Sequence, residues 1–336
     1  MTGSIPGFWS KNNEKFKMEK EVLLLIAGLA GLWLGSGLAI DFGKKIAEAL
    51  KISTLIIGLT VTSVGTSLGE IVTNIVAGYH RLQGVETSGL ALGTVIGSNI
   101  SLITFVLGFC GFFTIYYLER KKASMKRDWG MLFLAIGLMF LFSFDDNKID
   151  SIEAGIMILV YGIYIFLLFK QEEVFEKIAN KKKNMNRGVL IFDLAIVFIG
   201  ILIVIYSANL VIDNGVFIGN NFKVSGELIG VLIGFGTSLP ELTISLHSLF
   251  KGSHGLSIGN LIGGGITDPL LSLGIGALIS PVFVDKITLF FDIPFMFVST
   301  LLAWLFFMRG GKLDKLEASM LVGFYFIFIW LKFFVL

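Results

Sequence analysis

Two glutamates, Glu70 and Glu241, sit where a carboxylate is hardest to explain. Each ends a six-residue stretch, Gly65-Thr66-Ser67-Leu68-Gly69-Glu70 and Gly236-Thr237-Ser238-Leu239-Pro240-Glu241, and the two copies lie 171 positions apart inside long apolar runs. In a helix Thr66 and Ser67 precede Glu70 by four and three residues, so two hydroxyls and one carboxylate share a face. Thr237, Ser238 and Glu241 repeat that spacing. Gly65, Gly69, Gly236 and Pro240 weaken or break helical hydrogen bonding at the same points, which frees backbone carbonyls. Carboxylate, hydroxyl and carbonyl oxygens together make a cage for a hard cation: Ca2+, Na+, Mg2+ or K+.

A second pair of blocks extends the pattern. Gly93-Thr94-Val95-Ile96-Gly97-Ser98-Asn99-Ile100-Ser101-Leu102 aligns with Gly259-Asn260-Leu261-Ile262-Gly263-Gly264-Gly265-Ile266-Thr267-Asp268 at an offset of 166, and both run on to an aligned glycine, Gly108 and Gly274. Asp268 adds a third carboxylate, but its counterpart is Leu102, so the site cannot be symmetric. No lysine or arginine lies inside the four blocks. Three negative charges without a fixed countercharge require mobile cations or protons. Close helix packing accounts for Gly93, Gly97, Gly259 and Gly263; it does not account for glutamates that each cost roughly 2.5–3.5 kcal/mol to place at a bilayer centre.

The elements that carry these residues are membrane helices. The 336-residue chain is 54% hydrophobic and 15% charged, against about 25% charged in soluble domains, and its mean hydropathy is +0.83. Apolar spans fall near 22–42, 53–79, 88–117, 129–144, 151–169, 189–212, 225–250, 255–281, 287–308 and 315–335, most of them near or above the ~20 residues a helix needs to cross. The period-2 alternation of a β-barrel is missing from them. The polar stretch 170–188 divides the ten into five and five. The expected fold is therefore an all-α membrane protein of ten transmembrane helices, built as two inverted five-helix repeats with broken helices at the midplane. Its parts are a mobile N-terminal tail over 1–21, repeats over 22–169 and 189–336, and a cytoplasmic linker over 170–188. Met18 is an alternative start. With both termini outside, the inner loops hold 18 of the 27 Lys and Arg, in clusters at Lys44–Lys51, Arg120–Arg127, Lys170–Arg187, Lys251 and Arg309–Lys315, as the positive-inside rule asks. An odd number of spans per half puts the halves in opposite orientations.

At the four blocks the chain resembles the Ca2+/cation antiporter superfamily, and within it the prokaryotic sodium/calcium exchangers. Gly236 to Glu241 matches that family's second-repeat motif letter for letter. Gly65 to Glu70 matches the first, with Gly69 where proline is usual, and Gly97-Ser98-Asn99-Ile100 matches the other signature. The resemblance implies a midplane site built from the second, third, seventh and eighth helices, alternating access by sliding of the first and sixth, and exchange of Ca2+ for several Na+. By position it assigns Glu70, Glu241 and Asp268 as principal carboxylates and Thr66, Ser67, Ser98, Thr237 and Ser238 as supporting oxygens, with backbone carbonyls near Ser63 and Gly234. Three departures stand out: Leu102 for a polar residue, Gly264-Gly265 for a Ser-Asn pair, and Gly69 for proline. They thin the hydroxyl ligands and leave Na+, H+ and K+ all open as the coupling ion.

The remaining polar residues read as structural. Asp41, Asp193 and Asp292 suit span ends, by snorkelling or capping, and His80 and His247 suit the interface. Pro281 marks a helix end and Pro294 a kink. Arg127-Asp128 reads as an interfacial anchor, and the lone Cys110 as a small packing residue. The expected partners are the lipid bilayer and the transported ions Ca2+, Na+ or H+, with no nucleic acid, obligate protein partner or cofactor. A cation channel with a carboxylate ring is a competing function, disfavoured by the inverted repeat. An intramembrane aspartyl protease using Asp41 and Asp268 is another, and it lacks a convincing motif.

Overall fold

In hydrocarbon every backbone N–H and C=O must bond within the chain, which leaves an apolar run the choice of helix or closed barrel. Among the described residues this chain takes the helix almost throughout. The computed structural model describes residues 6–49, 63–113, 116–117, 122–171, 187–222, 224–250, 252, 254–310 and 312–335. In order, the helices are α1 (Pro6–Ala49), α2 (Ser63–Thr66), α3 (Leu68–Leu82), α4 (Ser88–Ile100), α5 (Leu107–Phe113), α6 (Lys122–Asp146), α7 (Ser151–Gln171), α8 (Arg187–Phe222), α9 (Gly226–Thr237), α10 (Leu239–Phe250), α11 (His254–Thr267), α12 (Leu273–Ile279), α13 (Ile293–Gly310) and α14 (Lys315–Phe334). Short π-helical stretches join α4 to α5 (Ser101–Val106) and α11 to α12 (Asp268–Ser272), and a third, Thr288–Asp292, leads into α13.

Among the described residues eight stretches are long and apolar enough to cross a membrane, beginning with Ser88–Phe113 and ending with Lys315–Phe334. Of the ten expected spans, the first lies within α1, which starts at Pro6 rather than near Val22. The second is described only from Ser63 onward, and most of the 170–188 linker, with Lys181–Lys183, lies outside the described residues. Burial separates centre from periphery. Of the residues in an apolar 18-residue window of each stretch, 94% are buried in Ser88–Phe113 and 78% in His254–Ile279, but 17% in Gly188–Asn221. The two central stretches are the ones that carry the Gly93–Leu102 and Gly259–Asp268 blocks.

Glycines set the directions in which helices run past one another. A Cβ on Gly28 of α1 would meet Val211 of α8 at 2.9 Å, and one on Gly35 would meet the Gly200 carbonyl at 2.7 Å. The numbers fall on one helix as they rise on the other, so α1 and α8 are antiparallel. A Cβ on Gly93 would come within 2.9 Å of Gly230 Cα, and one on Gly97 within 2.6 Å of Val231 Cα, so α4 and α9 run parallel at backbone contact. Gly78 stands likewise against Gly276 and Ile279, and Asn74 bonds Ser272 further back, so α3 and α12 are also parallel. Gly93 and Gly97 thus have the packing role read from their small size.

Four two-residue strands join the halves outside the helices, which the sequence reading did not anticipate. β1 (Tyr116–Tyr117) pairs antiparallel with β4 (Lys312–Leu313), and β2 (Lys148–Ile149) with β3 (Val282–Phe283). The offset of 166 carries β1 onto β3. The largest apolar cluster includes the fully buried Trp129, Tyr164, Phe307 and Phe328. Cys110 is buried within it, as a packing residue should be.

Candidate ion site

Both glutamate motifs break their helices at the serine. Ser67, between α2 and α3, has φ −72° and ψ 4°; Ser238, between α9 and α10, has φ −79° and ψ 0°. The hydrogen bonds at the two breaks are near copies. Thr66 Oγ1 donates to Ser63 O at 3.1 Å and Thr237 Oγ1 to Gly234 O at 3.1 Å. Ser67 N donates to Ser63 O at 2.9 Å and Ser238 N to Gly234 O at 3.2 Å. The two carbonyls expected to take part in the site, Ser63 and Gly234, are these paired acceptors. Pro240 is the second residue of α10, in the first turn where its missing N–H does no harm. Its counterpart Gly69 has ordinary room for a side chain, the nearest atom to a Cβ there being Thr237 Cγ2 at 3.7 Å.

The breaks bring the eight expected site residues into one buried polar core. Glu70, Glu241, Asp268, Ser67 and Ser98 are 0% exposed, and Thr66, Thr237 and Ser238 no more than 3%. Asp268 is held from two directions: Ser67 Oγ donates to Oδ1 at 2.7 Å and Ser98 Oγ to Oδ2 at 2.8 Å. Glu70 lies beside Thr237 and Ser98 and within electrostatic range of Asp268; Glu241 lies beside Thr66 and within range of both other carboxylates. Yet all four oxygens of Glu70 and Glu241 are buried with no hydrogen-bond donor. Buried polar atoms almost always find a partner, so two donorless carboxylates side by side are the feature of this core that asks for a cation. Among the described residues no three carboxylates have the spacing to clasp one ion together. Two glutamates are left open to an ion, and Asp268 is engaged by serines.

Several neighbours escaped the sequence reading. Asn260 accepts from Thr66 Oγ1 at 3.4 Å and donates to Ser245 Oγ at 3.4 Å, tying α11 to both breaks. Asn74, one turn beyond Glu70, donates to the Glu70 carbonyl and to Ser272 Oγ, each at 3.0 Å. Tyr161 shares a 3.2 Å hydrogen bond with Thr267, next to Asp268. Asn99 is buried with neither side-chain atom partnered, and fills the space a side chain on Gly265 would need. The available signal was an amide inside an apolar span, one turn from Glu70 at Asn74 and within the repeated blocks at Asn99 and Asn260.

The residues set aside as structural lie away from this core. Asp292 does not snorkel or cap: it is buried in an ion pair with Lys332, Nζ to Oδ2 2.6 Å. Arg127 and Tyr164 both reach Asp128, at 2.8 and 3.1 Å, so the expected anchor is a buried cluster. His80 stands 3.8 Å from Asp213, and His247 and Asp41 are exposed.

Known proteins resemble the chain at a distance. The sodium/calcium exchanger MaX1 of Methanosarcina acetivorans is 27% identical over 353 aligned residues, which cover 93% of this chain and 98% of MaX1. The inner membrane protein YrbG of Escherichia coli is 27% identical over 89% of this chain and 93% of its own length. The solved structure of the sodium-calcium exchanger NCX_Mj, soaked with Na+ and Sr2+, superposes with a TM-score of 0.66 at 25% identity, covering 92% of this chain and 97% of that one. The profile of the sodium/calcium exchanger proteins matches residues 20–170 and 192–334, a stretch around each glutamate motif, and the chain belongs to that family.

Proposed function

We propose that this multi-pass membrane protein is a secondary antiporter exchanging Ca2+ for Na+ at the core between the two helix breaks. The observation that carries the reading is the pair of buried glutamates whose four oxygens have no protein donor. Ca2+ takes six to eight oxygen ligands. Glu70 and Glu241 offer four, and Thr66, Ser67, Ser98, Thr237 and Ser238 surround them. Asp268, steadied by two serines, supplies further negative charge. Ca2+ is cargo here, so the same oxygens must release it to Na+; an all-oxygen cage without a fixed countercharge lets either ion satisfy it. The names of MaX1 and NCX_Mj support this ion pair.

The packing supports alternating access. The antiparallel pair α1 and α8 is joined glycine to backbone, and 17% of the residues in the apolar window of α8 are buried. Such a pair can slide as a unit past the central helices and open the core to one side at a time. The matching breaks at Ser67 and Ser238, the antiparallel run of α1 and α8, and the strand pairs exchanged between halves support ten spans in two inverted repeats, and the placement of Lys and Arg supports both termini outside. Exchange of Ca2+ for H+ is the second reading, favoured by the loss of oxygen ligands at Leu102 and Gly264.

Uptake of labelled Ca2+ into proteoliposomes of the purified chain, with outward Na+, H+ or K+ gradients imposed in turn, separates these. Uptake driven by Na+ alone is expected. A proton gradient that suffices without Na+ would overturn the first reading in favour of the second.

A further inference from the structure

The two halves of the core agree in their backbone and differ in one place. Adding 171 to a residue of the first glutamate motif, or 166 to a residue of the third span, gives its counterpart. Ser67 thus answers Ser238, Ser98 answers Gly264, and Leu102 answers Asp268. On one side of the core Ser67 and Ser98 both donate to Asp268, forming a lobe of two hydroxyls and a carboxylate. The matching lobe on the other side would consist of Ser238, Gly264 and Leu102.

That second lobe is filled with hydrocarbon. Leu102 is 0% exposed, and its Cδ1 lies 3.1 Å from where a Cβ on Gly264 would stand. Ser238 has no carboxylate to reach, and its hydroxyl turns back to Gly234 O at 2.7 Å and to Ser98 Oγ at 3.3 Å. Its twin Ser67, with the same backbone conformation, reaches outward to Asp268. The different behaviour of two equivalent serines traces to the residue at one position, carboxylate on one side and isobutyl on the other.

The consequence is a count of ion positions. A cation held by the donorless oxygens of Glu70 and Glu241 would take a position common to both halves. Beside it each half would offer one off-axis position, and a cation placed there needs oxygens in its own lobe, since stripping an ion of water without replacement ligands is prohibitive. The Asp268 lobe has them. The Leu102 lobe has one hydroxyl, already engaged, and a leucine side chain in the space. We propose that Leu102 seated on Gly264 closes one of two otherwise equivalent monovalent-cation positions, so that two Na+, not three, replace each Ca2+ and exchange moves no net charge. This rests on reading the core as a Ca2+/Na+ exchange site.

The test is the equilibrium Ca2+ gradient that a set Na+ gradient supports in proteoliposomes of the full chain, at membrane potentials fixed with thiocyanate. Two coupled ions turn a tenfold Na+ gradient into about a hundredfold Ca2+ gradient at every potential, because each contributes one factor of ten. The double variant Leu102→Asn with Gly264→Ser, which returns oxygens to the closed lobe, is expected to reach about a thousandfold at zero potential by the same arithmetic and to respond to voltage. A wild-type gradient near a thousandfold, or one that moves with potential, overturns the proposal. So does a folded double variant that behaves as the wild type. If the double variant does not fold, Leu102→Asn alone and the wild-type measurement decide the question. Failure of Na+ to drive any uptake is a different result, and removes the Ca2+/Na+ reading itself.

Discussion

Leu102 and Gly264 are one packed contact: a Cβ on the glycine would stand 3.1 Å from Leu102 Cδ1. The leucine occupies the room that a side chain at 264 would take, so neither position changes freely alone. Gly264→Ser by itself overpacks the core and is expected to destabilise the protein by about 1–3 kcal/mol. Combined with Leu102→Ala, most of that penalty should vanish. Thermal unfolding in detergent, followed by a thiol-reactive dye on the single buried Cys110, measures both. Additive effects of the two substitutions would show that the contact carries no coupling.

Glu70 and Glu241 make a separate prediction because their oxygens have no donors to lose. Glu70→Gln or Glu241→Gln removes a buried charge and breaks no protein hydrogen bond to the carboxylate, so the ion-free protein should be as stable as before or more so. Ca2+ at about 100 times its dissociation constant should stabilise the wild type by roughly 2.7 kcal/mol. Either variant should lose that increment along with transport. A glutamine variant that still gains stability from Ca2+ would remove the glutamate from the ion site.

What the letters alone made legible was the chemistry written twice. The two helix breaks, the eight candidate residues that meet in one buried core and the asymmetry between Leu102 and Asp268 were all marked by carboxylates and hydroxyls set in apolar runs. What stayed hidden depends on geometry between spans. The hydroxyls of Ser67 and Ser238 are identical in the motif, and only the packed core tells which one meets a carboxylate. Asp292 looked like a span-end residue because its partner, Lys332, is forty positions away on another helix. The two-residue strands carry no period to read, since they exist by pairing across the halves.

Arg81 supports a prediction about how the core is held at one end. Its Nη2 donates to the carbonyls of Gly276 at 3.0 Å and Ser280 at 2.9 Å, clamping the end of α3 to the last turn of α12. A guanidinium suits this place because its planar fork meets two acceptors at once and complements a helix C-terminus. The counterpart in the second motif's helix region, 171 residues on, is Gly252, which has no side chain to make such a clamp. Arg81→Leu takes the guanidinium from the Ser280 carbonyl and leaves Gly276 O only the Ser280 N–H at 3.2 Å, and is expected to cost about 1.5–3 kcal/mol; Arg81→Lys should recover part of it. Unfolding midpoints that order the three proteins otherwise would contradict the clamp.

The Lys332–Asp292 pair tests whether a buried charge here serves stability at all. The side chains are 5% and 2% exposed and meet at 2.6 Å, and Thr288 Oγ1 donates to the same carboxylate oxygen at 3.3 Å. Lys332→Met leaves Asp292 charged, desolvated and without its cation, and should destabilise by about 3–5 kcal/mol. Replacing both, Lys332→Met with Asp292→Leu, removes the desolvation penalty together with the attraction, and by the same reasoning should return stability close to the wild-type value. Because the pair lies outside the ion core, the double variant should still take up Ca2+ against a Na+ gradient. Thermal unfolding of the two variants beside that uptake assay checks both halves of the argument. A double variant as unstable as Lys332→Met would mean that the pair contributes net attraction, and one that folds but has lost transport would tie this distant pair to the exchange cycle.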